Sequence, residues 1–240
     1  MPILEAPLHC PACGMGLDVY ADHALGCMCK GDRTIRHNAL RECTYRFAKA
    51  SALNPQREKS GLLPPRPDGE QIKEKANVPG RRPADIWMPR WGDGGPVALD
   101  FAVTCGLRAD VLHHSATDHT RALVDYENFK RDYLSTAHQC EQQGLQFIPM
   151  VAEAHGGSWG AAAKETFKAI SREYANQSGV TISQASSELA QRISITLVRE
   201  NARAILRRLA SANERRSSIN AAAWEEDTDD LPEDVVMSFQ

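Results

Sequence analysis

The clearest pattern along the chain is an alternation of apolar with small or polar side chains from Val97 to Thr104. Alternation with a period of two is typical of a β-strand, whose successive side chains point to opposite faces. One predicted face carries Val97, Leu99, Phe101 and Val103, and the other carries Ala98, Asp100, Ala102 and Thr104. The preceding stretch RWGDGG, centred on Gly92-Asp93, predicts a hairpin turn that connects this strand to an earlier apolar run.

A turn at this position places Asp85 of the first strand directly opposite Asp100 of the second. Directly opposed residues of a hairpin have Cβ atoms about 4.5–5.5 Å apart. Two carboxylates at that distance repel each other, which favours a cation between them. Carboxylate oxygens are the ligands that Mg²⁺ or Mn²⁺ prefers. The alternative is a solvent-exposed hairpin face that carries two acids without a metal.

Helical spacing of apolar residues predicts helices on both sides of the hairpin. The first covers 34–53, with Asp32 or Thr34 as its N-cap. The later predicted elements are a helix at about 117–143 ended by Gly144, a buried strand at 145–154, and helices at about 160–176 and 183–211. Pro149 places the last strand at a sheet edge or at a bulge. This order predicts an α/β or α+β fold with helices flanking a central sheet.

Composition narrows the class of protein. The chain has 240 residues and a formal net charge of −3, but residues 217–240 hold seven acids and no Lys or Arg. The rest of the chain is mildly basic, which is compatible with a polyanionic partner but does not require one. There is no run of eighteen apolar residues and no hydrophobic segment typical of a signal peptide. We therefore expect no membrane association and an intracellular, non-secreted protein, nuclear if its source is eukaryotic.

Seven cysteines are present, and four of them fall within the first thirty residues. The pattern Cys10-x2-Cys13-x9-His23-x3-Cys27 offers the thiolates and imidazole that zinc binds tetrahedrally. Four ligands would close the site, so we expect structural Zn²⁺ that supplies folding energy to a short segment. Cys29 could replace Cys27 as the fourth ligand, and the alternative to a metal site is a set of scattered free thiols.

A CCHC cluster, the stretch RTIRHNALRE, the Asp…Asp hairpin and a lysine on the following helix together resemble one family. It is the restriction-like endonuclease region at the C-terminal end of site-specific non-LTR retrotransposon polyproteins. The resemblance runs from Cys10 to about Trp159. It implies a PD-(D/E)xK-type core, with a central mixed sheet flanked by helices, and metal-dependent nicking of target DNA. It also implies DNA as a partner, together with element RNA and a reverse transcriptase domain of the same polyprotein.

The resemblance also assigns roles to residues of the candidate active site. Asp85 and Asp100 would bind the catalytic Mg²⁺ (or Mn²⁺), although Ala84 separates Asp85 from the proline that usually precedes it directly. The family core expects a lysine two positions after the second acid, where this chain has Ala102. Lys130, on the helix after the hairpin, would take over that role. Glu58 resembles a third carboxylate of the site, and Glu42 is the weaker candidate.

DNA contacts are expected from four residues near these acids: Arg36, His37, Arg81 and Arg82. The predicted segments are a CCHC zinc knuckle at 1–31, a restriction-like endonuclease core at 32–180, a basic C-terminal helix at 181–216 and an acidic, disordered tail at 217–240. The basic stretch 199–216 could contact phosphates or form a solvated helix face.

Two alternatives to an active nuclease remain open. A catalytically silent, domesticated relative would bind DNA through the knuckle and the basic helix, and the missing lysine at Ala102 favours it. A zinc-stabilised protein-interaction module would require the hairpin acids to be incidental.

Overall fold

The computed structural model describes residues 3–4, 7–65, 81–92, 94–108, 111–155 and 157–212. The predicted tail 217–240, residues 66–80 and Asp93 of the predicted turn lie outside these residues. The chain divides into two compact units. The terminal unit combines the chain up to Asp32 with the chain from Ala202 onward, and the central unit runs from Arg33 to Asn201.

The terminal unit begins with a short hairpin and a one-turn helix. Its elements are β1 (Leu8–His9), β2 (Gly16–Leu17), α1 (Asp22–Gly26) and a 3₁₀ turn (Cys29–Gly31). The strands are antiparallel, and Gly14, with φ of +76°, lies in the turn between them. Leu17, Ala21 and Ala24 form a small apolar cluster with Ile205 from the C-terminal part of the unit. The N-terminal segment therefore does not build its core alone.

The central unit contains a mixed four-stranded sheet. Its strands are β3 (Gln56–Arg57), β4 (Ile86–Met88), β5 (Val97–Thr104) and β6 (Gln146–Glu153). They lie in the order β3-β4-β5-β6, with antiparallel pairing except for the parallel pair β5 and β6. The register pairs Ile86 with Leu99, which confirms the predicted hairpin. β6 is an edge strand, as the position of Pro149 predicted.

Helices cover both faces of this sheet. They are α2 (Asp32–Ala50), α3 (Leu112–Ser115), α4 (Arg121–Asp132), α5 (Thr136–Gln142), α6 (Ala161–Ser178) and α7 (Ile182–Ala212). Side chains from α2, α6 and α7 pack on the face that carries Leu99 and Phe101. Side chains from α4 and α5 pack on the opposite face, beside Ala98 and Ala102. Both faces of β5 are thus buried, and the chain has a mixed α+β fold.

Two helix predictions need correction. The helix predicted at 117–143 is interrupted by a 3₁₀ turn (Tyr133–Ser135), in which Leu134 and Ser135 have positive φ. Phe129 and Tyr133, two aromatic residues within the predicted range, are about half exposed. The first helix begins at Asp32 rather than at residue 34. The helix predictions at 160–176 and 183–211 are confirmed to within two residues at each end.

None of the helices in the described ranges is long and apolar enough to cross a membrane.

Candidate functional site

Asp85 immediately precedes β4, and backbone pairing fixes its position. Its backbone N–H donates to the carbonyl of Leu99 over 2.9 Å. One carboxylate oxygen, Oδ2, accepts the backbone N–H of Phe101 at 2.7 Å. The Asp85 side chain is therefore held beside the middle of β5, next to Asp100, as the hairpin register predicted.

Asp100 faces a cation from a different element. Lys130 Nζ on α4 lies 2.7 Å from Asp100 Oδ2, with about a fifth of each side chain exposed. Burial raises the pKa of Asp100 to about 6; the charge of Lys130 acts against this rise, and that of Asp85 adds to it. Burial alone would lower the pKa of Lys130, but the adjacent Asp100 carboxylate raises it, so Lys130 remains protonated. The predicted partner of the acidic pair is thus within contact distance.

The position of Lys130 depends on the anchoring of α4. Glu127, one turn earlier on this helix, is buried and accepts the backbone N–H of Ala162 near the start of α6 at 3.3 Å. A Cβ at Gly160 would overlap the Glu127 carboxylate, so any larger residue there would displace that carboxylate. Glu127 therefore fixes α4 against α6 and orients Lys130 towards the sheet.

His37 is a site residue whose role the sequence did not reveal. Its Nε2 lies 3.1 Å from Asp85 Oδ2 and 3.1 Å from the carbonyl oxygen of Phe101. Both partners are acceptors, so Nε2 carries a proton. Burial lowers the pKa of His37, but the hydrogen bond and charge of Asp85 outweigh it, and the pKa is raised. This contact argues against the DNA contact predicted for His37 and assigns it to the acidic pair.

A small cavity of about 230 Å³ opens at the acidic pair and is lined also by Glu58 and Arg82. Glu58 accepts hydrogen bonds from Arg41 at 2.5 Å and from Arg82 at 2.9 Å. The predicted third carboxylate thus lies at the cavity, but two guanidinium groups already neutralise it. Arg82 lines the cavity as well, where a phosphate of a nucleic acid could approach.

Other predicted site residues lie elsewhere. Arg36 is buried, and its guanidinium donates to the side chain of Asn201 at 2.8 Å. Arg81 is also buried and donates to the carbonyl of Pro64. Burial argues against the DNA contacts predicted for both arginines. Glu42 pairs with Arg57 at 2.6 Å and does not line the cavity.

The terminal unit brings Cys10, Cys13, His23 and Cys27 together, with their ligand atoms all within 4.8 Å of one another. The Cys13 and Cys27 Sγ atoms are 3.7 Å apart, and Cys13 Sγ lies 3.1 Å from His23 Nε2. A tetrahedral zinc site requires S···S of about 3.8 Å and S···N of about 3.5 Å. The group could therefore bind a metal such as zinc, with Cys27 rather than Cys29 as the fourth member.

Arg208 connects the C-terminal helix to this cluster. It is buried, donates to Asp32 Oδ2 at 2.6 Å and to the carbonyl of Cys29 at 3.4 Å. Burial opposes ionisation of Cys27, but hydrogen bonds from Arg208 and from the backbone at Cys29 lower its pKa to about 6. Of the three thiols in the group, that of Cys27 is thus available as a thiolate at neutral pH. Arg207 also pairs with Asp32, so both arginines have a partner in the terminal unit.

The raised pKa values at the acidic pair predict a pH effect on stability. The folded pKa of Asp100 is about 6, against an ordinary 3.8, and His37 is raised above its ordinary 6.5. Because the folded state binds more protons than the unfolded state, its stability falls as pH rises from 3.8 to 6 and again above 6.5. Asp100 should contribute a loss of about 1 kcal/mol between pH 5 and pH 7.

Urea unfolding at pH 5 and pH 7 without added divalent metal measures this loss. Asp100→Asn should show a smaller decline than the unaltered chain, because an amide does not titrate. Equal declines in the two proteins would contradict the prediction. The remaining titrating groups are common to both proteins, and the charge of Asp100 also raises the pKa of His37, so the difference reports the Asp100 carboxylate together with its effect on His37.

The arrangement in the central unit provides two adjacent carboxylates that line a small cavity, with Lys130 in contact with Asp100 and the ring of His37 in contact with Asp85. Such a donor set can hold a divalent cation and stabilise charge that develops on a bound phosphate.

No family model matches this chain, and no curated protein matches it.

Proposed function

We propose that this chain is a metal-dependent DNA endonuclease domain that nicks target DNA, as in non-LTR retrotransposons. The observation that carries the proposal is the contact of Lys130 with Asp100 opposite Asp85. This places a lysine beside two carboxylates although the expected hairpin position is Ala102. The parallel pair β5 and β6, within a helix-flanked mixed sheet, is consistent with a restriction-like core.

The donor set fits a divalent cation. Asp85 and Asp100 would hold Mg²⁺ or Mn²⁺, and such an ion would stabilise the ionised form of Asp100, whose pKa is raised to about 6 mainly by burial. When bound, the ion would polarise the scissile phosphate and lower the pKa of the attacking water. The protein residues then have separate tasks around it.

Lys130 would orient the water or stabilise the negative charge that develops on phosphorus. His37 is a positioning residue, because its Nε2–H holds the Asp85 carboxylate and the Phe101 carbonyl in place. Arg82, at the mouth of the cavity, would contact a flanking DNA phosphate. In this proposal Glu58 sets the orientation of Arg82 instead of binding metal.

Purified full-length chain incubated with supercoiled plasmid tests the proposed activity. We expect conversion to nicked circles with Mg²⁺ or Mn²⁺ and none without added divalent metal. Absence of metal-dependent nicking under conditions where DNA is bound would overturn the enzymatic proposal.

The proposal also includes element RNA and a reverse transcriptase domain of the same polyprotein as partners, and a nuclear location in a eukaryotic source.

A catalytically silent DNA-binding module is the second candidate. One observation favours it: Asp85 and Asp100 each already have a protein partner, His37 and Lys130. In such a module these contacts would serve only the fold. The plasmid assay separates the two candidates, since the silent module would bind DNA without nicking it.

We also propose that the Cys10-Cys13-His23-Cys27 group is a structural zinc site. Four ligands from the protein close a tetrahedral site, so its role would be to hold the terminal unit folded. The β1-β2 turn supplies two ligands, and α1 brings His23 near the third thiolate, Cys27.

Cys13→Ser is expected to remove one equivalent of zinc and unfold the terminal unit, because structural zinc supplies much of its folding energy. The central unit should remain folded, since it has an apolar core of its own. Metal analysis and hydrogen exchange of the full chain measure the two effects. Cys29→Ser is the matched control, because Cys29 lies outside the group and should keep the metal. Retention of full zinc content by Cys13→Ser would disprove the site.

A further inference from the structure

A second group of metal-ligand side chains lies in the central unit, at the end of the parallel pair β5 and β6. Thr104 pairs with Glu153 in the last step of the register, and Cys105 follows Thr104 directly. His155 lies two residues beyond Glu153. The Cys105 thiol, the Glu153 carboxylate and the His155 imidazole thus emerge together, and their ligand atoms lie within 4.8 Å of one another.

Backbone contacts fix the two connecting segments. The backbone N–H of Ala154 donates to the carbonyl of Thr104 at 2.8 Å, and the N–H of Glu153 donates to Ser158 at 2.7 Å. The Glu153 carboxylate accepts the backbone N–H of His155 at 2.8 Å and that of Gly106 at 3.3 Å. The carboxylate is therefore oriented before any ligand arrives, which lowers the entropy cost of binding.

The geometry at His155 distinguishes a metal site from a catalytic triad. In a Cys-His-acid triad, the thiol and the carboxylate face different ring nitrogens of the histidine. Here Cys105 Sγ and Glu153 Oε1 both lie 3.5 Å from the same atom, His155 Nδ1. The Cys105 Sγ, Glu153 Oε1 and His155 Nδ1 atoms thus converge on one point. Ligand atoms around a bound cation are arranged in this way.

We propose that Cys105, Glu153 and His155 form a second metal site, which binds Zn²⁺ through three protein ligands. A tetrahedral zinc ion with Zn–S of about 2.3 Å and Zn–N of about 2.0 Å places sulfur and nitrogen about 3.5 Å apart. The observed separation of Cys105 Sγ and His155 Nδ1 is 3.5 Å. Thiolate and imidazole ligands select zinc over Mg²⁺, which prefers oxygen alone.

Three ligands leave the fourth position of the ion open, unlike the closed group of the terminal unit. The side chains of Glu153 and His155 are about 15% and 29% exposed, so water or an anionic ligand can reach this position. Asp100 lies mid-strand on β5, whereas Cys105 follows the end of that strand, so the two sites share no residue. The second metal site therefore stands or falls independently of the proposed nuclease activity.

Alkylation of the full-length chain with a maleimide, followed by peptide mass spectrometry, tests the site without any substitution. Zn²⁺ should slow the labelling of Cys105 by about tenfold or more, because a metal-bound thiolate is a poor nucleophile. Cys43 is the internal control, since it lies in the central unit outside both metal groups. Its labelling should be unaffected.

Variants then identify the partners of Cys105. His155→Ala should abolish the protection of Cys105 by Zn²⁺, and Cys105→Ser should lower the zinc content of the chain by one equivalent. Cys43→Ser should keep the zinc content of the unaltered chain. Equal labelling rates of Cys105 with and without Zn²⁺ in the unaltered chain would overturn the proposal, and that comparison depends on the folding of no variant.

Discussion

Asp85→Asn and Asp100→Asn are each expected to reduce magnesium-dependent nicking to background, a loss of about 10³-fold or more. Both carboxylates would be ligands of one catalytic ion, and an amide is a neutral and weaker ligand for a hard cation. An ion that activates water and polarises phosphate supplies several kcal/mol of transition-state stabilisation. Each ~1.4 kcal/mol corresponds to a factor of ten in rate.

The two variants are also expected to remain folded. Asp85 and Asp100 lie at the cavity that opens between the hairpin and Glu58, and an amide occupies the same space as a carboxylate. Thermal unfolding and DNA binding therefore serve as readouts that separate lost catalysis from lost structure. Asp125→Asn is the matched control, because Asp125 is a partly exposed acid on α4 that pairs with Arg121.

Three outcomes of this experiment carry different meanings. Near-normal magnesium-dependent nicking by either variant would refute the two-aspartate site directly. Loss of nicking in the Asp125→Asn control would show that the assay responds to surface charge and not to metal ligation. Normal activity of the control together with inactive Asp85→Asn and Asp100→Asn would support metal binding at the hairpin.

The hairpin could be predicted from sequence because its determinants are local. A glycine-rich turn and an eight-residue alternation define the register, and a shift of one residue would exchange the two faces of β5. The observed pairing of Ile86 with Leu99 follows directly from these features. The alternative of a solvent-exposed hairpin face does not hold, because α4 and α5 cover it, and the position of a helix on a sheet is not encoded in strand alternation.

The long-range contacts of α2 could not be predicted in the same way. Its buried side includes Arg36, which neighbours Asn201 from α7, whereas His37 turns towards Asp85. Neighbouring residues of a helix point in directions roughly 100° apart, so the arginine is buried while the next residue, the histidine, reaches the site. The sequence RTIRHNALRE identifies the helix but not the direction of each polar side chain, because that direction depends on partners more than forty residues away.

The same limit applies to the ends of the chain. Arg208 belongs to a basic stretch that suggested phosphate contacts, yet it is buried against Asp32. The pattern of charges along a sequence does not distinguish a solvated arginine from a buried one. Both kinds of arginine occur in basic helices. Removal of a buried partner typically costs about 3–5 kcal/mol, so this pair contributes to the terminal unit as well as to the environment of Cys27.

Lys130→Ala is expected to slow nicking by about 10²–10³-fold, the usual loss for one preorganised electrostatic group. Lys130 Nζ already contacts Asp100 Oδ2 at 2.7 Å, and burial of three-quarters or more of each side chain keeps the pair away from bulk water. The ammonium is therefore within reach of a water or phosphate held by the acidic pair. DNA binding should change little, because Lys130 supplies one charge among many.

A second substitution at the same position tests whether nicking depends on the ammonium group of Lys130. Lys130→Arg should rescue nicking poorly, because a planar guanidinium cannot replace a compact ammonium between Asp100 and a reacting phosphate. Lys168→Ala is the matched control, since Lys168 is an exposed lysine on α6 that pairs with Glu165. If Lys130 serves only to neutralise Asp100 in the fold, Lys130→Ala should lower the thermal stability while the nicking rate of the folded fraction stays unchanged. A full rate in that fraction would remove Lys130 from the catalytic site and leave it as a structural partner of Asp100.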